Sequence, residues 1–391
     1  MQIVICIQRE KVMKRNRAMD IIKFLACLIV FIDHFYLTFR SQMPTVVKVM
    51  KVNPIKILVN GNLAVCMFLL ISAYFLSGQV YRSESFEKLQ RAVFKRYPRL
   101  MFPVAVLSCI TYGMKKLDLF YNIKVAELMN YEWLQHYFGS KMTWKNLIKD
   151  TLFTVWYQKN GTFNGPFWML HILFLGSFFV ILLSVATAGK EKRRMWIFGI
   201  MAVTAVMYDM YLMCLVLGTF LAYLKVNTGF ITTIQEKKWG IVLIGLLFLV
   251  GIMLPGDFTI PLKILEKLHI QNEYLNSRQF YNTIGAFFIV MAVECSNRKP
   301  QARIENPAID KVTALSFAVY LVHWPIICSL SCYLYMQWYT NIENKLILFG
   351  SIFVITVLVV FIAAYIFHHI IEERICNKAV DKLCSWYFPK R

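Results

Sequence analysis

Long apolar segments recur along almost the whole of this chain and constrain its fold more than any other feature. Of its 391 residues, 58% are hydrophobic, far more than a water-soluble globule uses. Backbone in the hydrocarbon core of a membrane must satisfy its own hydrogen bonds, so such segments are expected to be helices. The sequence therefore predicts an all-α polytopic membrane protein with about ten transmembrane helices, at residues 19–39, 55–77, 99–116, 166–188, 195–208, 210–225, 239–254, 280–295, 314–336 and 345–371.

The formal net charge of +21 has a topological explanation. Most of the 43 lysines and arginines lie in residues 1–18, in 372–391 and in alternate connections between the predicted spans, as the positive-inside rule requires of cytoplasmic segments. We therefore expect a multi-pass protein of the cell membrane with a basic cytoplasmic N-terminus and a cytoplasmic C-terminal tail. Because the charge follows the loops, membrane lipid is an expected partner and nucleic acid is not.

The first predicted span carries two polar groups on one helix face. Lys23 and His34 are eleven residues apart, which turns a helix to within about 20° of its starting direction and separates them by about 16 Å along the axis. A neutral imidazole at position 34 can act as a general base on a hydroxyl, and Asp20 can hold the lysine ammonium. The adjacent Asp33 points elsewhere, so a carboxylate or carbonyl from another helix is expected to orient His34. The alternatives are a snorkelling lysine and a histidine bonded to an interfacial loop.

Residues 85–99 have an amphipathic pattern between the predicted spans two and three. Leu89 and Val93 share one stripe and bases occupy the other side, which is typical of a helix lying on the cytoplasmic face of the membrane. At its end, Arg96 and Arg99 form a pair of guanidinium groups that suits phosphate. Anionic lipid headgroups are the alternative ligand.

Other polar and aromatic residues interrupt the apolar segments. Ser72 lies among small residues, for which close helix packing is the alternative explanation, and Trp168 begins span four, where an aromatic interface belt is equally typical. Tyr320 and His323 precede a helix-kinking proline in span nine, where a hydrogen bond between helices would also account for the histidine. Glu372 follows two adjacent histidines at the end of span ten, which point to different faces, so no metal site is predicted.

The order and spacing of these residues resemble the membrane-bound acyltransferase 3 family, whose members acylate cell-surface glycans. The resemblance runs from about residue 17 to 374, nearly the whole chain. The matching positions are Asp20 with Lys23 and His34, the stretch Met67–Leu76, Arg96 with Arg99, the stretch Pro166–Leu170, Tyr320 with His323 and Pro325, and Ile371 with Glu372. Lys23 replaces the family's arginine and loses its bidentate fork; Ala73 replaces a glycine, and Arg374 a proline.

The resemblance implies that residues 19–371 form an acyltransferase 3-like transmembrane domain. Its reaction would move an acyl group, with acetyl from cytoplasmic acetyl-CoA as the leading donor, to a hydroxyl of an exopolysaccharide, capsule or lipid-linked glycan. Acyl-CoA is then a co-substrate, no permanently bound cofactor or metal is expected, and proteins of polysaccharide biosynthesis are candidate partners. The implied catalytic residue is His34, and the implied donor-binding residues are Lys23, Arg96 and Arg99. The candidate site-lining residues are Asp20, Ser72, Trp168, Tyr320, His323 and Glu372.

Three alternatives remain open at the level of sequence. The same polar residues would suit a transporter of a glycan or lipid intermediate, or a sensor or scaffold of the cell envelope, and within the enzyme class the acyl group could be succinyl. Residues 117–165, expected outside, carry aromatic side chains that could stack on sugar rings, although interface anchoring explains them equally well. These side chains are Trp133, Tyr137, Trp144 and Trp156.

Overall fold

A computed structural model describes residues 16–83, 86–139, 141–158, 162–189, 194–256, 277–296 and 306–388. All regular structure in these ranges is helical, and no strand occurs within them. The all-α class predicted from the sequence is therefore confirmed. Most of the predicted basic N-terminus, residues 1–15, lies outside the described residues.

The α-helices are numbered here in chain order. They are α1 Arg17–Phe39, α2 Pro44–Met50, α3 Gly61–Tyr81, α4 Phe86–Lys116, α5 Asn122–Met129, α6 Trp144–Lys149, α7 Val155–Tyr157, α8 Trp168–Thr187, α9 Arg194–Tyr208, α10 Met210–Tyr223, α11 Phe230–Glu236, α12 Gly240–Gly256, α13 Arg278–Ser296, α14 Pro307–Ala314, α15 Ser316–Ile326, α16 Cys332–Trp338, α17 Lys345–Ile366 and α18 Asn377–Tyr387. Short 3₁₀ segments occur at Arg40–Gln42, Ile55–Val59, Glu132–His136 and Gly165–Phe167. π-Helical segments occur at Asp150–Thr154, Leu224–Thr228, Ile327–Ser331 and Phe367–Cys376.

Six helical segments in the described ranges are long and apolar enough to cross a membrane. They are Arg17–Gln42, Gly61–Tyr81, Gly165–Thr187, Met210–Thr228, Ser316–Trp338 and Lys345–Tyr387. The pair α11 and α12, bent by 113° at its break, would make a seventh crossing. The chain is thus a multi-pass helical membrane protein, and the predicted count of about ten spans is not confirmed.

Three predicted spans account for the difference in count. α9 is apolar but has only 15 residues, so it is about 22 Å long, shorter than a hydrocarbon core of about 30 Å. α13 begins at Arg278 and contains the buried Glu294, and these polar residues lower its hydropathy. The predicted span at 99–116 is the second half of α4, whose first half is rich in charge.

The amphipathic segment predicted between spans two and three forms the first half of α4. This helix has 31 residues and continues through Pro98 and Pro103 into the predicted third span. Its first half docks on α18, where Lys95 Nζ lies 2.8 Å from Asp381 Oδ1.

The core of the bundle is centred on α3. In its most apolar window 78% of the residues are buried, against 28% for the segment Lys345–Tyr387 at the periphery. α3 packs against α1, α8, α10 and α13. A Cβ added to Gly218 of α10 would lie 2.3 Å from the Leu70 carbonyl oxygen and 2.8 Å from the Ala73 Cβ. The backbones of α3 and α10 therefore touch, as small residues allow within membranes.

Helices α1 and α15 lie side by side and point in the same direction. The Cys27 Sγ lies 3.0 Å from the Ser316 carbonyl oxygen, and seven residues further along both helices His34 meets His323. Because the residue numbers rise together, the two helices are parallel. The candidate active site lies along this pair of helices.

Candidate active site

A cavity of about 470 Å³ lies among α1, α3, α4, α15 and the π-helical segment Phe367–Cys376. This volume is within the usual range of small-molecule sites, about 300–1,000 Å³. Six of the residues singled out in the sequence line it, namely Asp20, Lys23, Ser72, Arg96, Arg99 and Glu372. The fold therefore brings polar residues of four separate helical segments to one place, which we call the inner cavity.

Three cationic side chains give the inner cavity an anion-binding character. The Lys23 ammonium lies 5.0 Å from the centroid of the Phe68 ring. The Arg96 Nε is buried, and no residue in the described ranges accepts a hydrogen bond from it. Burial, together with the neighbouring Arg99 guanidinium, lowers the pKa of Arg96 to about 10. A buried cation without its full set of acceptors is costly, and a bound anion would remove this cost.

A carboxylate and a histidine face these cations. The His368 Nδ1 lies 2.6 Å from the Glu372 Oε2, and both side chains line the cavity. The other oxygen, Glu372 Oε1, is buried and lacks a hydrogen-bond partner in the described part of the chain. His368 was not singled out as a site residue in the sequence, although its i, i+4 spacing from a glutamate was a usable signal.

The predicted catalytic residue, His34, lies outside the inner cavity and is paired with His323. The His34 Nδ1 and the His323 Nε2 are 2.8 Å apart, and the rings are nearly parallel, with centroids 5.1 Å apart. His323 is fully buried, whereas His34 is half-buried. The expectation that a carboxylate or carbonyl orients His34 is therefore wrong, since the partner is an imidazole from α15.

The hydrogen bonds of this pair define its tautomers. The His323 Nδ1 lies 3.0 Å from the Val319 carbonyl oxygen, which can only accept, so Nδ1 carries the proton. A neutral ring then has its lone pair on Nε2, because a charged ring at a fully buried position would lack solvation. The His34 Nδ1–H must donate to that lone pair. The free lone pair of His34 is consequently on Nε2, the atom that could take a proton from a substrate.

The structure places the two remaining predicted residues differently. The Tyr320 hydroxyl donates to the Pro166 carbonyl oxygen, and its ring lies 6.2 Å from that of His323, so it supports the histidine pair. Trp168 packs against Tyr211 at 5.3 Å and is not among the residues that line the inner cavity. The role predicted for Trp168 has no support in these contacts.

The inner cavity and the histidine pair are joined along α1 and α15. Lys23 and His34 are separated by about 16 Å along the helix axis. On α15, Ser316 and Phe317 line the cavity, and His323 follows on the same helix. An extended ligand bound by the cavity cations could thus follow these two helices toward His34.

The adjacent histidines at the end of the last span are closer together than the sequence suggested. Ligand atoms of His368, His369 and Glu373 lie within 4.8 Å of one another. Each ring already has a carboxylate partner, however, since the His369 Nδ1 lies 2.7 Å from the Glu373 Oε2 and His368 pairs with Glu372. The contacts of the two rings are therefore accounted for by ion pairs along the helix.

A multi-pass helical bundle with an inner cavity lined by cations and a histidine pair between two parallel helices is a membrane protein with a candidate active site. The sequence matches the family model of the acyltransferase 3 acyltransferase domain over residues 16–367. The chain therefore belongs to this family of membrane acyltransferases. No curated protein and no solved structure matches the chain with significance.

Proposed function

We propose that the protein transfers an acyl group, acetyl from cytoplasmic acetyl-CoA, to a hydroxyl group of a glycan at the outer surface of the cell membrane. The family membership supports acyl transfer. The acetyl-CoA donor and the glycan acceptor are what the family resemblance implies, and the geometry of the two parts of the site fits them. The acceptor is an exopolysaccharide, a capsule or a lipid-linked glycan.

The inner cavity is the proposed donor site. Coenzyme A carries several phosphate charges, and Lys23, Arg96 and Arg99 are the cations that would hold them. The unsatisfied Arg96 Nε would gain a charge-assisted hydrogen bond, which is about twice as strong as a neutral one. The thioester arm would extend along α1 and α15 toward His34, over a distance of about 16 Å.

The histidine pair is the proposed catalytic centre, and the observation that carries the proposal is the 2.8 Å contact between His34 Nδ1 and His323 Nε2. With Nδ1 engaged in this way, His34 Nε2 is the atom proposed to take up a proton. The acceptor oxygen attacks the thioester carbonyl carbon, its proton passes to His34 Nε2, the new C–O bond forms and the C–S bond breaks. The departing CoA thiolate then takes up the proton. His323 holds the His34 ring through Nδ1 and stabilises the imidazolium that forms transiently.

The test is label transfer from radiolabelled acetyl-CoA to envelope glycan in inside-out vesicles, with succinyl-CoA as the competing donor. Wild type should incorporate alkali-labile label, and His34→Ala should lose about 10²- to 10⁴-fold in rate, the usual contribution of general-base catalysis. His136→Ala is the matched control, because His136 is exposed on the outer segment Glu132–His136. Full activity of a folded His34→Ala protein would contradict the proposal. Incorporation of label from succinyl-CoA and not from acetyl-CoA would show that the acyl donor is succinyl-CoA.

A further inference from the structure

Three aromatic rings form a cluster that reaches His34 through one of its members. The Trp324 ring lies 5.2 Å from the His34 ring. Tyr137 and Trp133 pack edge to face against Trp324, at 4.8 Å and 5.4 Å, and against each other at 5.3 Å. Two of these rings come from residues 117–165 and one from α15, and we call them the aromatic cluster.

The aromatic cluster contains a polar group without a partner. Trp324 is 1% exposed, yet its Nε1–H finds no acceptor within the ranges that the structure describes. Indole N–H groups usually find an acceptor when they are buried. A Cβ added to Gly165 would lie 3.0 Å from this nitrogen and 2.6 Å from a Tyr137 ring carbon. The glycine thus lets the rings pack closely, and the indole N–H is buried there without an acceptor in the described residues.

The cluster is held in place before any ligand binds. Asn122 is fully buried, and its Nδ2 donates to the carbonyl oxygens of Leu134 and Tyr137, at 2.8 Å and 2.9 Å. These bonds fix the turn that carries Trp133 and Tyr137, both of which remain half-buried. Part of each side chain is therefore exposed, and Trp324 alone separates both rings from His34.

We propose that the aromatic cluster is the acceptor site, and that Trp133 and Tyr137 stack on a sugar ring whose hydroxyl meets His34 Nε2. This inference rests on the proposed function and names the surface that recognises its acceptor. The face of an aromatic ring carries partial negative charge and attracts the weakly positive C–H face of a pyranose. The Trp324 Nε1–H donates to an oxygen of the same sugar.

The arrangement differs from that of aromatic residues that only anchor a protein at a membrane interface. Trp144 and Trp196 are such residues, with 59% and 76% of their surfaces exposed. The rings of the cluster contact one another, and the innermost is buried against a histidine. A purely anchoring role would not place an unpartnered indole N–H there.

The experiment uses purified full-length protein in lipid nanodiscs. The acceptor probe is envelope polysaccharide from the source cells, freed of its esters by mild alkali and cut to oligosaccharides. Radiolabelled acetyl-CoA is saturating, and the acceptor concentration is varied for wild type, Trp133→Ala, Trp133→Phe and Trp324→Phe. The matched control is Trp144→Ala, which removes an exposed tryptophan from the same outer region.

We expect Trp133→Ala to raise the half-saturating acceptor concentration about tenfold, the fold-change equivalent to one aromatic contact, with the donor KM unchanged. Trp133→Phe should recover most of the loss, and Trp324→Phe should weaken acceptor binding because it removes the indole N–H donor together with part of the ring. If Trp133→Ala and Trp324→Phe both have the half-saturating acceptor concentration of wild type, the proposed acceptor site is wrong. The proposed acyl transfer reaction would not be affected by that result.

A second readout separates the two proposals. Tritium-labelled oligosaccharide is bound at equilibrium to His34→Ala protein, with and without the Trp133→Ala change. Weaker binding in the double variant supports the acceptor site even if no transfer from acetyl-CoA or succinyl-CoA is found. Equal binding to both proteins overturns it.

Discussion

His34 and His323 share a hydrogen bond although 289 residues separate them in the chain. Neither histidine has a carboxylate partner in the contacts described. The chain of donors and acceptors begins at the Val319 carbonyl, which fixes the proton of His323, and ends at the His34 Nε2. At the scale of single residues, a backbone carbonyl therefore decides which atom of the His34 ring, the proposed base, can take up a proton.

Replacement of His323 should reveal this positioning role. A leucine cannot accept the His34 Nδ1–H, so His323→Leu should lower kcat about 10²-fold, within the range of a lost general base. The amide oxygen of His323→Gln can accept that bond and should keep kcat within about tenfold of wild type. Steady-state kinetics with acetyl-CoA would check this, with an unchanged donor KM as evidence of folding. Equal losses in the two variants would argue against a hydrogen-bonding role.

Arg96 should matter for donor binding and not for the chemical step. Removal of a charge-assisted hydrogen bond costs about 1.5–3 kcal/mol, so Arg96→Ala should raise the donor KM by about 10- to 100-fold with kcat nearly unchanged. Arg91→Ala is the control, because Arg91 lies on the same helix, pairs with Glu87 at 2.7 Å and does not line the cavity. A loss of kcat in Arg96→Ala at unchanged KM would contradict a donor-binding role.

At the scale of elements, the close contact of α3 and α10 supports the site. Ser72 lines the inner cavity, and its neighbour Ala73, about 100° further round α3, packs against Gly218. The family pattern has a glycine at position 73, and in this chain a glycine on the partner helix provides the space for the alanine methyl group. Two small residues facing each other thus keep α3 in position.

Gly218→Ala should destabilise the bundle. The new Cβ would lie 2.3 Å from a backbone carbonyl oxygen, and overpacking of this kind costs about 1–3 kcal/mol, more than the gain of up to about 1 kcal/mol in helix propensity. The measurement is the fraction of monodisperse protein after heating in detergent. Gly350→Ala is the control, since no atom lies within 4 Å of its added Cβ. Similar melting of the two variants would show that α10 shifts without cost.

At the scale of the whole molecule, the two parts of the site lie near opposite ends of α1. Lys23 is close to its N-terminal end and His34 to its C-terminal end. A donor that enters on one side of the membrane and an acceptor that enters on the other would meet along this helix. No further subunit or domain would then be needed to carry the acyl group from the donor to the acceptor.

The proposed orientation predicts the accessibility of the two ends of the protein. In a background without Cys6 and Cys109, Trp144→Cys should react with a membrane-impermeant maleimide in intact cells. Lys378→Cys on α18 should react only after permeabilisation, because the positive-inside rule places that end in the cytoplasm. Both positions are exposed in the fold, so burial does not limit their labelling. The opposite pattern would reverse the sides assigned to donor and acceptor.

Much of the site could be predicted because its parts follow local rules. Lys23 and His34 share a face through the helical period alone. Arg96 and Arg99 are one turn apart, and both line the cavity with Asp20, Ser72 and Glu372. The number of membrane crossings was less predictable. α9 is short for a membrane span, and α13 contains charged residues that lower its hydropathy.

The contributions of sequence and tertiary structure divide according to the range of the forces involved. The sequence by itself determined the helical class, since a backbone in lipid must satisfy its own hydrogen bonds, and it determined which polar residues share a helix face. The contact of His34 with His323 and the contacts of Trp133 and Tyr137 with Trp324 arise only in the tertiary structure. The pair of His368 with Glu372 follows from its i, i+4 spacing, whereas these three contacts depend on how separate segments pack. Packing is the outcome of many weak contacts distributed over the whole bundle.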